Sequence, residues 1–208
     1  MCGFAGFLTN NTNLLANAEP IANKMAKTIE HRGPDDSGDW IDDSSGIVLA
    51  HRRLSIVDLS PAGHQPMTSK SDRFTLVFNG EIYNHLELRD ELDAFSSLGT
   101  AIKDNDWKGY SDTETLLAGF EKWGIEVTLQ KTVGMFAFSL WDKSEKLLTL
   151  ARDRFGEKPL YYGFQKNSFL FGSELKALKV HPDFANEIDR EALCLFMRYC
   201  YIPAPYSI

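Results

Sequence analysis

The chain has 208 residues, of which 43% are hydrophobic and 12% aromatic, enough apolar material for a packed core and too much for a disordered chain. A net charge of -7, with Arg52-Arg53 as its local basic pair, excludes a general nucleic-acid or anionic-membrane surface. Cys2, Cys194 and Cys200 are too far apart for a disulfide framework or a zinc knuckle, and five scattered histidines add no metal-ligand spacing.

Met1-Cys2-Gly3 opens the chain. A small second residue favours loss of the initiator methionine, which would give Cys2 a thiol nucleophile and a free α-amine of reference pKa about 7.7–8.0. A chance cysteine is the other reading. Residues 3–8 predict a short buried strand that would hold Cys2 at its tip. A polar loop over 10–17 precedes a helix opened by Pro20, with Ile21, Met25 and Ile29 on one face and Gly33-Pro34 as its stop. His31 to Gly38 is dense in turn formers and predicts a loop. Residues 47–50 and 54–57 are β-rich and bracket His51-Arg52-Arg53, so a basic pair is expected to interrupt a strand. An arginine there is either a solvated strand-end residue or a two-bond clamp for a carboxylate.

A Pro/Gly/Ser-rich loop over 60–72 leads to a strand at 74–78 that runs into Asn79-Gly80-Glu81-Ile82-Tyr83-Asn84. Asn-Gly between β-formers is a hairpin signal; an Asn amide beside a Gly N–H is equally a pair of oxyanion donors. Asn84 is expected to cap a helix carrying Leu88, Leu92 and Phe95, and residues 96–110 to form an exposed excursion. Ser111 and Glu114 have capping-box spacing before Leu116, Leu117 and Phe120, with Gly124 as the stop. Asp112 there is a favourable charge at a helix start or a counter-charge for an ammonium group. A β meander is predicted at 135–141, 147–151, 160–164 and 168–171; the single glycine of Arg152 to Pro159 makes no phosphate loop. A short helix over 174–179, a second capped by Asp189 and carrying Leu193, Phe196 and Met197, and an extended exit over 201–206 complete the chain. Many strands flanked by helices without βαβα alternation predict an α+β fold of two antiparallel sheets. No run reaches a membrane span and the start lacks a secretory pattern, so a cytoplasmic location is expected.

Seven motifs then occur in order. They are Cys2-Gly3, His31-Arg32-Gly33-Pro34-Asp35, Arg53-Leu54-Ser55-Ile56-Val57-Asp58, the Asn79 to Asn84 run, Ser111-Asp112-Thr113-Glu114, the Arg152 to Tyr162 run and Ser173-Glu174-Leu175-Lys176-Ala177-Leu178. Together they resemble the glutaminase domain of the glutamine-hydrolysing asparagine synthetases, which are class II glutamine amidotransferases and N-terminal-nucleophile hydrolases. The resemblance covers nearly the whole chain. It implies a four-layer αββα sandwich of two mainly antiparallel sheets, with residues 1–185 as the glutaminase domain and 186–208 as helix and linker.

The resemblance also implies roles. Cys2, freed of Met1, would attack the glutamine side-chain amide; the Asn79 side chain and Gly80 N–H would hold the oxyanion. Arg53 would clamp the α-carboxylate with Leu54 and Ile56 beside it at the substrate, while Asp112, with Glu81, would bind the α-ammonium; Arg52 carries no such role. No metal or cofactor is expected in this chain. ATP and magnesium belong to a synthetase domain whose Ser-Gly-Gly-x-Asp-Ser loop the sequence lacks. Ammonia would pass through a tunnel to that domain and ATP-activated aspartate, behind an apolar face opposite the glutamine entrance, in a homodimer. The stretch from Phe95 to Ser111 is a little longer than the usual pattern. Competing readings are an amidotransferase for another acceptor in polysaccharide synthesis and a non-catalytic glutamine-sensing module.

Overall fold

The computed structural model describes residues 1–56, 58–96, 107–204 and 206. Strand β1 (Gly3–Thr9) is buried at six of its seven positions, as a strand covered on both faces must be. A single turn, α1 (Thr12–Leu15), is capped by the Asn11 side chain, which accepts from the Asn13 N–H. Helix α2 (Ala18–Thr28) follows, burying Ile21, Ala22 and Met25 along one stripe. Strands β2 (Asp36–Asp42) and β3 (Ile47–Arg53) form a hairpin, and β3 pairs with β1 so that Gly3 faces Arg52.

The second half of the site comes from β4 (Met67–Thr68), β5 (Phe74–Ile82), α3 (His85–Ser96), α4 (Asp112–Trp123) and α5 (Ile125–Lys131). Then come β6 (Gly134–Asp142), β7 (Leu147–Arg152), β8 (Tyr161–Gln165), β9 (Ser168–Gly172), α6 (Leu175–Lys179) and α7 (Arg190–Tyr199). One sheet runs β2-β3-β1-β9-β8 and the other β4-β5-β6-β7, every pairing antiparallel.

Three separate apolar cores define four layers. Ala5 and Phe7 pack on Ile21, Met25 and Leu178 of the first helix layer. Phe4, Leu49 and Phe171 of the first sheet meet Val77 and Trp141 of the second. Phe74, Leu76 and Phe78 pack on Leu116, Leu117 and Phe120 of the second helix layer. Burying each such side chain contributes about 1.5–3 kcal/mol, so the αββα arrangement is held at three interfaces. The alternation of β5 matters most: Val77 points between the sheets, and Asn79, two residues on, shares that face.

Several local expectations are corrected. The 10–17 loop contains α1, and Pro20 lies in the first turn of α2 two residues after its start. Strand β2 begins at Asp36, inside the supposed loop, because β3 supplies a partner for its backbone. The basic pair does not interrupt β3 but ends it, while Leu54 and Ile56 lie beyond the strand; Val57 is outside the described residues. The 60–72 loop contains a turn of 3-10 helix at Pro61–Gly63 and the short strand β4.

Asn79-Gly80 is no hairpin turn: β5 runs through it, Asn79 opposite Ala137 and Gly80 opposite Phe136. The Asn84 side chain bonds Lys131 O and Val133 N and so ties α5 to β5. Ser111 caps α4 by accepting from Thr113 N, but Glu114 accepts from Lys108 N and Gly109 N, so the reciprocal half of the box is absent. The meander splits, β6 and β7 joining β5 while β8 and β9 join β1. Residues 97–106 and the Phe95 side chain lie outside the described residues. The exit is not fully extended, since Tyr206 N–H returns to Pro203 O at 3.0 Å.

Candidate active site

Cys2 sits one residue before β1. Because β1 and β3 are antiparallel with Gly3 opposite Arg52, the chain that continues past Arg53 is carried alongside Cys2. Leu54 meets the sulfur through its backbone, its N–H donating to Cys2 Sγ at 3.4 Å and its carbonyl accepting from the thiol at 3.6 Å. Arg32 Nε donates to the Cys2 carbonyl at 2.9 Å. Burial pushes the thiol pKa up, and the Leu54 contact and nearby positive charges offset this only in part. The resting sulfur is therefore a neutral thiol that needs a base. With Met1 present the Cys2 nitrogen is an amide and cannot serve.

Arg53, 7% exposed, is the last residue of β3. Its guanidinium donates to Ser60 O at 3.0 Å and to Asp58 O, two neutral acceptors that orient the group without cancelling its charge. Asp58 braces the same loop by accepting from Ser60 N at 2.7 Å and Tyr110 N at 2.9 Å. The 3-10 turn matters here, since a side chain at Gly63 would occupy the space taken by the Arg53 guanidinium.

The free edge of β5 supplies the next groups. In an antiparallel ladder alternate residues direct their N–H groups away from the partner strand. Phe78 N is taken by Gln65 Oε1 at 2.7 Å and Ile82 N by Asp112 Oδ2 at 2.9 Å. Gly80 lies between them, and its opposite number Phe136 spends its own N–H and carbonyl on Asp153, so the Gly80 N–H faces the same edge. Asn79 is 1% exposed, and its side-chain nitrogen is buried without a partner among the described residues. A buried amide left unpaired costs about 1–3 kcal/mol, and because Asn79 lines the cleft its nitrogen is a donor that a ligand there can use. Asp112, 6% exposed at the first position of α4, has its pKa raised by burial, with the Ile82 N–H bond and His85 acting the other way.

All eight sequence-predicted residues line one cleft of about 120 Å³: Cys2, Arg53, Leu54, Ile56, Asn79, Gly80, Glu81 and Asp112. Met1 lines it too, so its removal enlarges it. The cleft carries the cations of Arg53 and Lys158, the carboxylates of Asp58, Glu81 and Asp112, a thiol and two N–H donors, so charges of both signs are on hand for a small zwitterion bearing an amide.

The sequence reading missed four contributors. Gln65 bridges Phe78 N to Thr113 Oγ1. Asp58 and Arg32 stand inside motifs already quoted, but nothing local assigns them contacts. Lys158 is 6% exposed, held by Asp153 through its backbone, with its Nζ 3.4 Å from Met1 Sδ. Among the described residues there is no group of three His, Cys, Asp or Glu side chains placed to hold a metal, and no helix long and apolar enough to cross a membrane.

Fold and cleft together fit an amidotransferase domain. A family model for the glutamine amidotransferase domain matches residues 1–208, and the chain belongs to that family. Asparagine synthetase [glutamine-hydrolyzing] 3 of Bacillus subtilis is 39% identical over 195 residues, covering 93% of this chain and 30% of the relative. Asparagine synthetase [glutamine-hydrolyzing] 1 of the same organism is 40% identical over 214 residues, covering 100% of this chain and 31% of the relative. The chain thus spans just under a third of the length of these relatives. A solved glutamine phosphoribosylpyrophosphate amidotransferase from B. subtilis, complexed with ADP and GMP, shares the fold with a TM-score of 0.65 at 19% identity. That match covers 86% of this chain and 43% of the other.

Proposed function

We propose that this chain hydrolyses the side-chain amide of free glutamine to glutamate and ammonia, with Cys2 as an N-terminal nucleophile exposed by loss of Met1. The observation that carries this reading is the buried Asn79 amide nitrogen, without a partner among the described residues, in the same cleft as the Cys2 thiol. As Sγ attacks the amide carbon, its proton passes to the Cys2 α-amine, and the carbonyl oxygen becomes an oxyanion held by Asn79 Nδ2 and Gly80 N–H. The α-ammonium returns the proton to the departing nitrogen and ammonia leaves. Water, deprotonated by the same amine, then opens the thioester to glutamate. Arg53 holds the substrate carboxylate, Leu54 and Ile56 flank it, and Asp112 and Glu81 take the ammonium.

In the longer protein of which relatives of this kind are examples, we propose that the ammonia reaches a synthetase domain that uses ATP and magnesium to activate aspartate. An apolar hollow lined by Leu148, Leu150, Leu160, Tyr162 and Phe169 supports a covered face for such a neighbour. Homodimer formation, a cytoplasmic setting and the division at residue 185 belong to the same proposal. Methionine-trimmed protein is incubated with glutamine and with diazo-oxo-norleucine, and glutamate release and intact mass are followed. Turnover with one adduct on Cys2, both lost in Cys2→Ser, is expected. Tight glutamine binding with neither turnover nor adduct overturns the enzyme in favour of a sensor.

A further inference from the structure

We propose that Glu174, acting through Arg32, is a positioning residue for the Cys2 nucleophile, and that the Ser173-Glu174 corner between β9 and α6 is a bracket gripping the start of the chain. This deepens the glutaminase reading and rests on it. The corner reaches the N-terminal segment in two ways, directly at Phe4 and through Arg32 at Cys2. Ser173, fully buried, donates its N–H to Phe4 O at 2.8 Å and accepts the Phe4 N–H on its Oγ at 3.0 Å. Glu174 Oε1 accepts from Arg32 Nη1 at 3.0 Å, and Arg32 Nε donates to the Cys2 carbonyl at 2.9 Å.

The need for such a grip follows from the chemistry of a chain end. Once Met1 is gone, no residue precedes Cys2 to limit its motion, and its amine must stay unencumbered to carry a proton. Its carbonyl and its sulfur are then the two handles left: Leu54 holds the sulfur and Arg32 the carbonyl. Gly3 makes the second contact possible, since a Cβ there would lie 2.9 Å from Arg32 Cδ.

Arg32 cannot hold its place unaided. Its side chain is 9% exposed, and its Nη2 is buried without a partner among the described residues. A guanidinium in that setting is kept by its carboxylate; remove the partner and the buried charge is left uncompensated. Glu174 is itself pinned from outside by Lys176 Nζ at 2.9 Å and His31 Nε2 at 3.1 Å. Burial alone would raise its pKa, but hydrogen bonds from Lys176 and Arg32 and the charges of Lys176 and His31 hold it at about 2. The bracket is therefore ionised throughout the range in which the enzyme would work, and it sets geometry without contributing a proton.

The test measures glutamine hydrolysis by the methionine-trimmed chain for wild type, Glu174→Ala and Glu174→Gln. Misplacing a reacting group by about 1 Å can cost about 100-fold, so Glu174→Ala is expected to lower kcat by about 10–100-fold. KM for glutamine stays unchanged, because Arg53 and Asp112 are untouched, and Glu174→Gln, which keeps an acceptor for Arg32, recovers part of the lost rate. Wild-type kcat in both variants overturns the bracket, as does a rise in KM that parallels the loss of kcat. Should Glu174→Ala fail to fold, Glu174→Gln decides alone: reduced kcat at constant KM upholds the proposal and wild-type kcat overturns it. A wild type that never turns over refutes the glutaminase reading itself, an outcome distinct from variants that match an active wild type.

Discussion

Replacing Asn79 with alanine separates catalysis from folding. In the resting fold the Asn79 amide nitrogen is buried and unpaired, a liability of about 1–3 kcal/mol that alanine removes. Alanine also forfeits the dispersion contacts of a residue only 1% exposed, so the two effects oppose each other and net stability changes little. The transition state has no such compensation. Losing one oxyanion donor costs about 2.7–4 kcal/mol of barrier, equivalent to about 10²–10³-fold in kcat, while the Gly80 N–H, next along the same strand, preserves a residual rate. Initial rates of glutamate release across glutamine concentrations give kcat and KM, and thermal denaturation gives Tm. The expected result is a kcat two to three orders of magnitude lower with KM and Tm close to wild type. A kcat within a few-fold of wild type refutes the assignment of Asn79, and so does a loss of rate matched by a collapse in Tm.

Asp112→Asn should raise KM for glutamine and abolish its pH dependence. In wild type, burial raises the Asp112 pKa, so the ionised form that binds an ammonium is lost at a higher pH than for an ordinary carboxylate, and KM climbs as pH falls through that range. The same shift has a stability consequence: a carboxyl whose folded pKa is raised loses its favourable contribution as pH rises through that value, so the asparagine variant should melt higher at neutral pH. Gly80→Ala would set a Cβ 2.7 Å from Phe136 Cα, prising β5 from β6, and should lose about 1–3 kcal/mol in denaturant titration together with turnover. An uncleaved peptide fused ahead of Met1 should abolish turnover while calorimetry still detects glutamine in the cleft; full activity with the fusion in place excludes the α-amine as base.

The residues that share the cleft are legible in the sequence because the chemistry proposed for them is written in adjacent letters. Cys2 stands at the one position where trimming yields a thiol and an amine together, and Asn79-Gly80 puts two kinds of donor side by side. What stayed hidden depends on partners distant in the chain. Asn-Gly carries a hairpin preference, yet β6 offers Ala137 and Phe136 as pairing partners, and the tertiary ladder overrides the local preference. Strand β2 is hidden in the same way: Asp36-Ser37-Gly38 has turn-forming composition, and only β3 supplies the other half of its ladder. The apparent meander divides because β9, with β8 on its far side, pairs with β1, more than 150 residues earlier, and no periodicity within the segment encodes that choice. Arg32 and Glu174 escaped for a related reason: each is an ordinary charged residue until the fold sets them 3.0 Å apart beneath Cys2.

The charges of the cleft also set which amides it can accept. Arg53 is oriented by backbone carbonyls that leave its charge whole, and Asp112 is buried enough that its pKa is raised when no cation is present. Each is costly to desolvate without an opposite charge, and free glutamine supplies both in one molecule. A substrate lacking its α-ammonium leaves Asp112 facing nothing, and a glutamine within a polypeptide satisfies neither group. Sites built around polar partners reject analogues lacking them by about 10⁴–10⁵-fold, far more than a missing methylene achieves. Glutaramate, which keeps the reacting amide and one carboxylate but has no ammonium, should therefore show kcat/KM lower by about that factor, measured by ammonia release. The Asp112→Asn variant should narrow the gap by losing activity on glutamine without gaining as much on glutaramate. Comparable kcat/KM for the two substrates in wild type would mean that Asp112 serves only to place a negative charge in the first turn of α4 and hold Ile82 N, and that selection for glutamine lies elsewhere.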